Sequence, residues 1–161
     1  MFSHGVTISG FGSSVPALVH SNQTIATNAP TTSKWIEQKL GIYERRIATD
    51  ETPSDLGTMA ALSAMKDANL KEEDIDMIVV ATSSPERLSP STACVIHRKL
   101  NFKKNIPCFD INAVCSGFLF ALHLCAPMIS SRMYKNVLII GTEVYSKITN
   151  WEDKNCVFFG D

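Results

Sequence analysis

An α/β fold, with helices packed against a parallel sheet, is the architecture this sequence predicts, and three observations predict it. Residues 77–81, Met-Ile-Val-Val-Ala, form a run with no polar alternation, the mark of a strand covered on both faces, as parallel strands are. Two further apolar runs, 107–111 and 136–142, follow at intervals filled by helix-forming segments; strands alternating with helices imply right-handed crossovers in one parallel sheet. Finally, 45% of the 161 residues are hydrophobic and 15 basic side chains face 16 acidic ones, enough apolar material for one packed core. A single domain over residues 1–161 is expected.

The first element is a short β-branched strand at residues 6–9, ending in the turn Gly10-Phe11-Gly12. Thr31, Thr32 and Ser33 supply candidate N-caps for a helix through Trp35, Ile36 and Leu40, which Gly41 can close in the left-handed region. Thr52 precedes Pro53 as a hydroxyl cap before a first-turn proline, with Asp55 near the positive end of the helix. Leu56, Ala60, Ala64 and Ala68 then recur every four residues beside Met59, Leu62 and Met65, a small-residue stripe suited to close packing on a sheet. Glu72, Glu73 and Asp74 end that element in solvent.

After the strand at 77–81, Ser89-Pro90 opens a helix through about Leu100 by the same cap-then-proline pattern. Residues 107–111 form a second buried strand and 136–142 a third. Between them, residues 116–129 are apolar on nearly every side and predict a central helix buried between layers. Pro127 removes an amide donor and crowds the carbonyl of His123, so a kink or an early 3₁₀ end is expected there. Cys156-Val157-Phe158-Phe159 reads as a last buried strand before Gly160-Asp161. No polar tail follows so apolar a strand, which needs neighbours.

A net charge of -1 excludes the phosphate-neutralising route to nucleic acid. The longest apolar runs, 77–81, 118–122 and 137–140, fall far short of the roughly 20 residues that span a bilayer. The opening Met1-Phe2-Ser3-His4-Gly5 lacks the basic patch and apolar run of a secretory signal. The expectation is a cytoplasmic protein with reduced thiols, contacting neither nucleic acid nor membrane. Five unevenly spaced cysteines (Cys94, Cys108, Cys115, Cys125, Cys156) argue against a disulfide framework, and Cys94 with His97 lacks the second pair a zinc site requires.

The chemistry concentrates in Phe109-Asp110-Ile111-Asn112-Ala113-Val114-Cys115-Ser116-Gly117-Phe118. A cysteine at a strand-to-helix junction sits where unpaired amides and the helix dipole stabilise a thiolate, and the same amides can donate to the oxyanion of a thioester under attack. Alternatively Cys115 is a small buried residue, as cysteines often are. Position alone leaves both readings open.

A series of short motifs in order along the whole chain decides between them: Gly10 and Gly12 with Pro16, Trp35-Ile36 followed by Gly41-Ile42, Glu44-Arg45-Arg46, Asp74-Ile75-Asp76, Ala81-Thr82, Pro90-Ser91-Thr92-Ala93-Cys94, Cys115-Ser116-Gly117-Phe118, Gly141-Thr142-Glu143 and Phe159-Gly160-Asp161. In these the chain resembles the β-ketoacyl-acyl-carrier-protein synthase III family of thiolase-like condensing enzymes. The resemblance implies the N-terminal half of a duplicated α/β/α layered unit. It also implies a ping-pong acyl transfer: Cys115 takes an acyl group from acyl-CoA, then yields it to a carbanion made by decarboxylating malonyl-acyl carrier protein, as in the initiation of fatty acid synthesis. No cofactor is implied, acyl-CoA being a substrate, and the working form is a homodimer.

In the family a histidine and an asparagine from the second half complete the site. His4, His20, His97 and His123 read as surface or satisfied structural histidines. This chain alone is therefore expected to lack a complete active site and to be half of a longer protein, a naturally shortened chain being the alternative.

By the same resemblance Trp35 stacks the CoA adenine, or else anchors its helix as a core residue. Lys39 and Lys154 stand where relatives often carry arginine near the nucleotide, keeping the charge but losing the planar fork; solvated lysines are the alternative. Leu88 and Ser89 stand where relatives bound the acyl pocket across a dimer interface, the small Ser89 leaving room for a longer acyl group or acting simply as a helix N-cap. Arg45 and Arg46 read as a solvated basic run or ion pairs, or as partners for acidic groups of the carrier protein. Ser131-Arg132 replaces the family's usual glycine after the central helix, so a left-handed residue there is strained or the turn differs. Competing functions are a secondary-metabolite, alkylquinolone-type or hydroxymethylglutaryl-CoA synthase-like condensing enzyme, and a non-catalytic thiolase-fold partner subunit.

Overall fold

A computed structural model describes residues 5–161, so His4 lies outside the described residues. Its elements run β1 (Leu18–Ser21), α1 (Asn22–Asn28), α2 (Ser33–Leu40), β2 (Glu44–Ile47), α3 (Pro53–Asp67), β3 (Met77–Ala81), α4 (Thr92–Lys99), β4 (Cys108–Ile111), α5 (Gly117–Ser130) and β5 (Val137–Gly141), with short 3₁₀ turns between them. Within the single domain expected, the chain forms two compact units: residues 5–14 with Pro53–Glu143, and Val15–Thr52 with Val144–Asp161.

The first unit is built on a parallel sheet of order β4-β3-β5, with Val79 opposite both Phe109 and Ile139. All five residues of β3 are buried, as its unbroken apolar run requires, and side chains alternate between the two faces. Ile78 and Val80 join Ala61, Met65, Ala93, Ile96, Leu138 and Ile140 in a cluster with α3 and α4. Met77 and Val79 face Ala121 and Cys125 of α5. Each fully buried aliphatic side chain of this kind stabilises the fold by roughly 1.5–3 kcal/mol.

The alanine stripe of α3 has a different partner from the one expected. Gly57, Ala61 and Met65 meet the sheet side, while Ala60, Ala64 and Ala68 receive the backbone of Gly10 and Gly12. A Cβ on Gly10 would sit 2.6 Å from the Ala64 carbonyl oxygen, and one on Gly12 would strike that of Ala60. The strand expected at residues 6–9 does not form: residues 5–12 pair with no strand among the described residues. A β-branched run becomes a strand only against a hydrogen-bonding neighbour, and here the segment is held by close backbone approach to α3 and by the Phe11 N–H donating to Asp67 Oδ2 at 2.9 Å.

Helix α4 starts at Thr92, with Ser91 rather than Ser89 as its N-cap. The Asp110 carboxylate on β4 accepts from the N–H groups of Thr92 (2.6 Å) and Ala93 (2.8 Å), which fixes the first helical turn two residues beyond the proline. The 107–111 strand forms as β4 but is half-buried throughout, an edge of the described sheet.

Helix α5 spans the expected segment, yet it is not buried between layers. Gly117, Ala121, Cys125 and Ser130 are buried, whereas Leu119 and Phe120 are 66% and 57% exposed, because the described residues place one sheet against one side of it. Nor does Pro127 end it early; the helix continues through Ser130. It closes in a Schellman arrangement, Met133 N–H donating to Met128 O and Arg132 N–H to Ile129 O. Helices α3 and α4 close the same way with Asn69 and Asn101 in the left-handed region, while α5 forces Arg132 there at φ 63°.

In the second unit β1 pairs antiparallel with β2, and Ile25, Ala29, Ile36, Cys156 and Val157 form the core. Thr32 caps α2 by accepting from the Trp35 N–H at 3.2 Å, and Gly41 ends it at φ 69°, both as expected. Arg45 is not solvated: it is 6% exposed and donates from Nη2 to Asn22 Oδ1 and to the Val157 carbonyl, each at 3.3 Å. The expected strand at 156–159 is instead a 3₁₀ turn, Lys154–Phe158, because Asp153 accepts from the Asn155 N–H at 2.7 Å and starts a local turn. Asp161 stitches the end of this unit, accepting from the N–H groups of Ala48 (2.6 Å) and Ser146 (2.8 Å).

Candidate functional site

Because β3, β4 and β5 are parallel, the chain leaves all three at one edge of the sheet, at Thr82, Asn112 and Thr142. Ligands of open α/β sheets bind outside the carboxyl ends of their strands. Cys115 stands at this edge, in the 3₁₀ turn Val114–Ser116 that joins β4 to α5. The bonds closing the turn run from Ser116 N–H to Ala113 O and from Gly117 N–H to Val114 O, so the Cys115 N–H takes no part in them. Val114 has φ 47°, a left-handed conformation that a β-branched residue adopts only under constraint from its surroundings. Close packing supplies part of that constraint: a Cβ on Gly117 would lie 3.2 Å from the Ala81 Cβ, so the start of α5 rests on the last residue of β3.

Cys115 is exposed, which excludes the alternative of a small buried core residue. The other thiols differ. Cys125 and Cys156 are buried and burial pushes both thiols up. Burial, and then the neighbouring Cys94, push the Cys108 thiol up to about 11. Cys94 is exposed on α4 with its Sγ 3.7 Å from the Cys108 carbonyl. His97 holds its Nε2 against Lys104 O at 2.9 Å and packs edge-on against Phe102, while His123 is exposed and His20 half-buried. Among the described residues, no three potential ligands are grouped to hold a metal ion.

The same edge of the sheet carries a saturated carboxylate, that of Glu143, which the sequence marks only as part of the Gly141-Thr142-Glu143 motif. Glu143 accepts from the N–H and Oγ of Ser83 (both 2.8 Å), the N–H of Ser84 (2.9 Å), the Ser84 Oγ, and the Thr82 Oγ1 (3.3 Å). The signal available was its place, an acidic residue directly after an apolar strand. Leu88 is 97% exposed and Ser89 exposed on the loop that continues from these serines toward α4.

In the second unit, Trp35, half exposed, and Lys154 line one open pocket of about 710 Å³ together with Pro30, Thr31, Thr32, Asn155 and Phe158. Its volume is that of small-molecule sites, which run to about 300–1,000 Å³. Trp35 is therefore not a core residue. Lys39 is exposed one helical turn further along α2 and does not line this pocket.

A family model described as 3-oxoacyl-[acyl-carrier-protein (ACP)] synthase III matches residues 109–161. The β-ketoacyl-[acyl-carrier-protein] synthase III of Clostridium acetobutylicum is 46% identical over 159 residues, covering 98% of this chain and 49% of that protein. Among solved structures, the 3-oxoacyl-[acyl-carrier-protein] synthase III of Aquifex aeolicus superposes with a TM-score of 0.93 at 42% identity, over 98% of this chain and 51% of the other. A priming β-ketosynthase from a polyketide biosynthetic pathway gives a TM-score of 0.90 at 33% identity, over 96% and 46%. The chain spans about half the length of the curated relatives it matches.

Proposed function

Because this chain belongs to the β-ketoacyl-acyl-carrier-protein synthase III family and has the thiolase-like fold of its solved relatives, we propose that Cys115 is the nucleophile of a decarboxylative condensation that starts acyl chains. The observation that carries the reading is an exposed thiol on a strained turn at the carboxyl edge of a parallel sheet. In the first step Sγ, as thiolate, bonds to the carbonyl carbon of acyl-CoA; the carbon–sulfur bond to CoA breaks and CoA leaves as its thiol after taking up a proton. The Cys115 N–H, outside the turn's own bonding, is available to the oxyanion of the tetrahedral intermediate. In the second step a malonyl thioester on acyl carrier protein loses CO₂, its carbanion attacks the Cys115 thioester, and Sγ leaves. That step needs donors for the developing enolate; the resemblance implies a histidine and an asparagine for them, from the half of the fold that this chain does not cover.

Acyl-CoA enters as substrate, with no resident cofactor, and the CoA nucleotide is assigned to Trp35 and Lys154, with Lys39 adding charge from the helix surface. The indole offers a stacking face and the ammonium a phosphate partner. Leu88 and Ser89 bound the acyl group in a cytoplasmic homodimer. None of the described helices is long and apolar enough to cross a membrane. A second reading keeps the acylation and changes the acceptor to that of a secondary-metabolite pathway, favoured by the likeness to the polyketide priming ketosynthase. Incubating the full-length protein with acyl-CoA and mapping the adduct by mass spectrometry tests the common step. An acyl group confined to the Cys115 peptide and lost in Cys115→Ser is expected; no adduct, or one on another cysteine, overturns it.

A further inference from the structure

Five hydrogen bonds converge on the Glu143 carboxylate, all from Thr82, Ser83 and Ser84. A carboxylate offers about four lone-pair sites, so this one is fully committed to a single stretch of chain. Glu143 lies two residues beyond β5 and its donors lie directly beyond β3. The contact therefore clamps together two strand ends at the edge where Cys115 stands. The foot of the clamped stretch is Ala81, the residue on which Gly117 rests, two residues after Cys115.

Two more carboxylates fix the rest of the loop from Thr82 to Ser91. Glu86 Oε2 accepts from the buried Ser54 Oγ at 2.6 Å, and Asp110 holds the Thr92 and Ala93 amides. Loops ordinarily vary in conformation; this one is anchored at both ends and near its middle, and Asp110 is five residues from Cys115 on the strand that leads to it.

We propose that Glu143 is a positioning residue for the Cys115 site, holding Thr82, Ser83 and Ser84 as one wall beside the thiol and so setting which acyl groups reach it. The proposal deepens the acyl-transfer reading and rests on it. Its test compares wild type, Glu143→Ala, Glu143→Gln and Glu143→Asp in the full-length protein. Two rates are read: Cys115 acylation by acetyl-CoA against octanoyl-CoA, and Cys115 alkylation by iodoacetamide, a small probe that needs no wall.

Released from the clamp, the wall moves. The ratio of the two acylation rates is expected to change about tenfold in Glu143→Ala, a size in keeping with ångström-scale misplacement near a reacting centre. In Glu143→Gln, which loses one acceptor oxygen and keeps the shape, the change is smaller, and Glu143→Asp restores part of the wild-type ratio. Alkylation stays within about twofold of wild type throughout, since the thiol itself is untouched. An acylation ratio unchanged in both Glu143→Ala and Glu143→Gln overturns the proposal, as does a parallel fall in acylation and alkylation in the isosteric Glu143→Gln, which would mark a purely structural role. Absence of acylation in the wild type sinks the underlying reading instead.

Discussion

Ile78 and Val80 on one side of β3 meet Ala61, Met65, Ala93 and Ile96 in a closed cluster, whereas Met77 and Val79 on the other side meet α5, whose far side leaves Leu119 and Phe120 in solvent. The closed side is held by close backbone approach at Gly10 and Gly12, by side chains packed on Gly57 and by carboxylate-capped helix starts. The open side carries the exposed thiol. A reagent must reach a thiol before it can react, and Cys115 meets that condition in the turn that leads into α5.

The largest effect that separates the two sides is chemical. Under Ellman's reagent at pH 8, Cys115 and the exposed Cys94 are expected to react promptly while Cys108, Cys125 and Cys156 do not. A thiol raised to about 11 carries on the order of a hundredfold less thiolate at that pH than one at the ordinary value near 9, and burial adds a steric barrier. Cys115→Ser removes one fast equivalent and the acyl adduct together. Equal reactivity of Cys115, in the turn before α5, and Cys125, within α5, would erase the distinction between the sides.

Backbone packing on the closed side gives the next effect. Gly12→Ala drives a methyl group into the Ala60 carbonyl, contact with backbone that no rotamer relieves. A loss of about 3 kcal/mol is expected by urea denaturation, the upper range for overpacking. Asp110→Ala leaves the Thr92 and Ala93 amides without their acceptor, and costs about 1–2 kcal/mol as a lost helix cap. A cost near zero for either would mean that this layer is far looser than its contacts indicate.

How much of this was legible in the sequence follows from the range of the forces. The caps of α2 at Thr32 and Gly41, the buried run of β3 and the junction cysteine all declare themselves within a few residues. Arg45 did not, since what buries it is the Val157 carbonyl 112 residues away. The roles of Glu143 and Asp110 were hidden for the same reason, their partners lying about 60 and 18 residues away. Residues 156–159 misled because four apolar residues fit a strand or a turn equally well, and the Asp153 cap that decides for the turn lies outside the apolar run. Helix α5 is apolar on every side, and the described residues cover it on one, in a chain that spans about half the length of its relatives.

A smaller effect comes from the end of α5. Arg132 occupies the left-handed position that asparagine fills after α3 and α4, at a cost of about 1 kcal/mol for a residue with a Cβ. Arg132→Gly is expected to raise the thermal midpoint by a few degrees, while Asn69→Gly and Asn101→Gly change it less, because asparagine tolerates that region.

The smallest effect is the one that tests the open side most directly. Leu119 faces away from the sheet, so Leu119→Gln takes no apolar contact from the cluster around Ala121 and Cys125. Its stability change should fall within about 0.5 kcal/mol, as for other surface substitutions, whereas Ala121→Ser, two residues on but fully buried, should cost at least about 1 kcal/mol by burying a hydroxyl. Measured side by side in urea, the pair reads the two sides of one helix with the backbone held constant. Should Leu119→Gln prove as costly as Ala121→Ser, the far side of α5 is packed in the protein, and the thiol at its head draws its exposure from the turn alone.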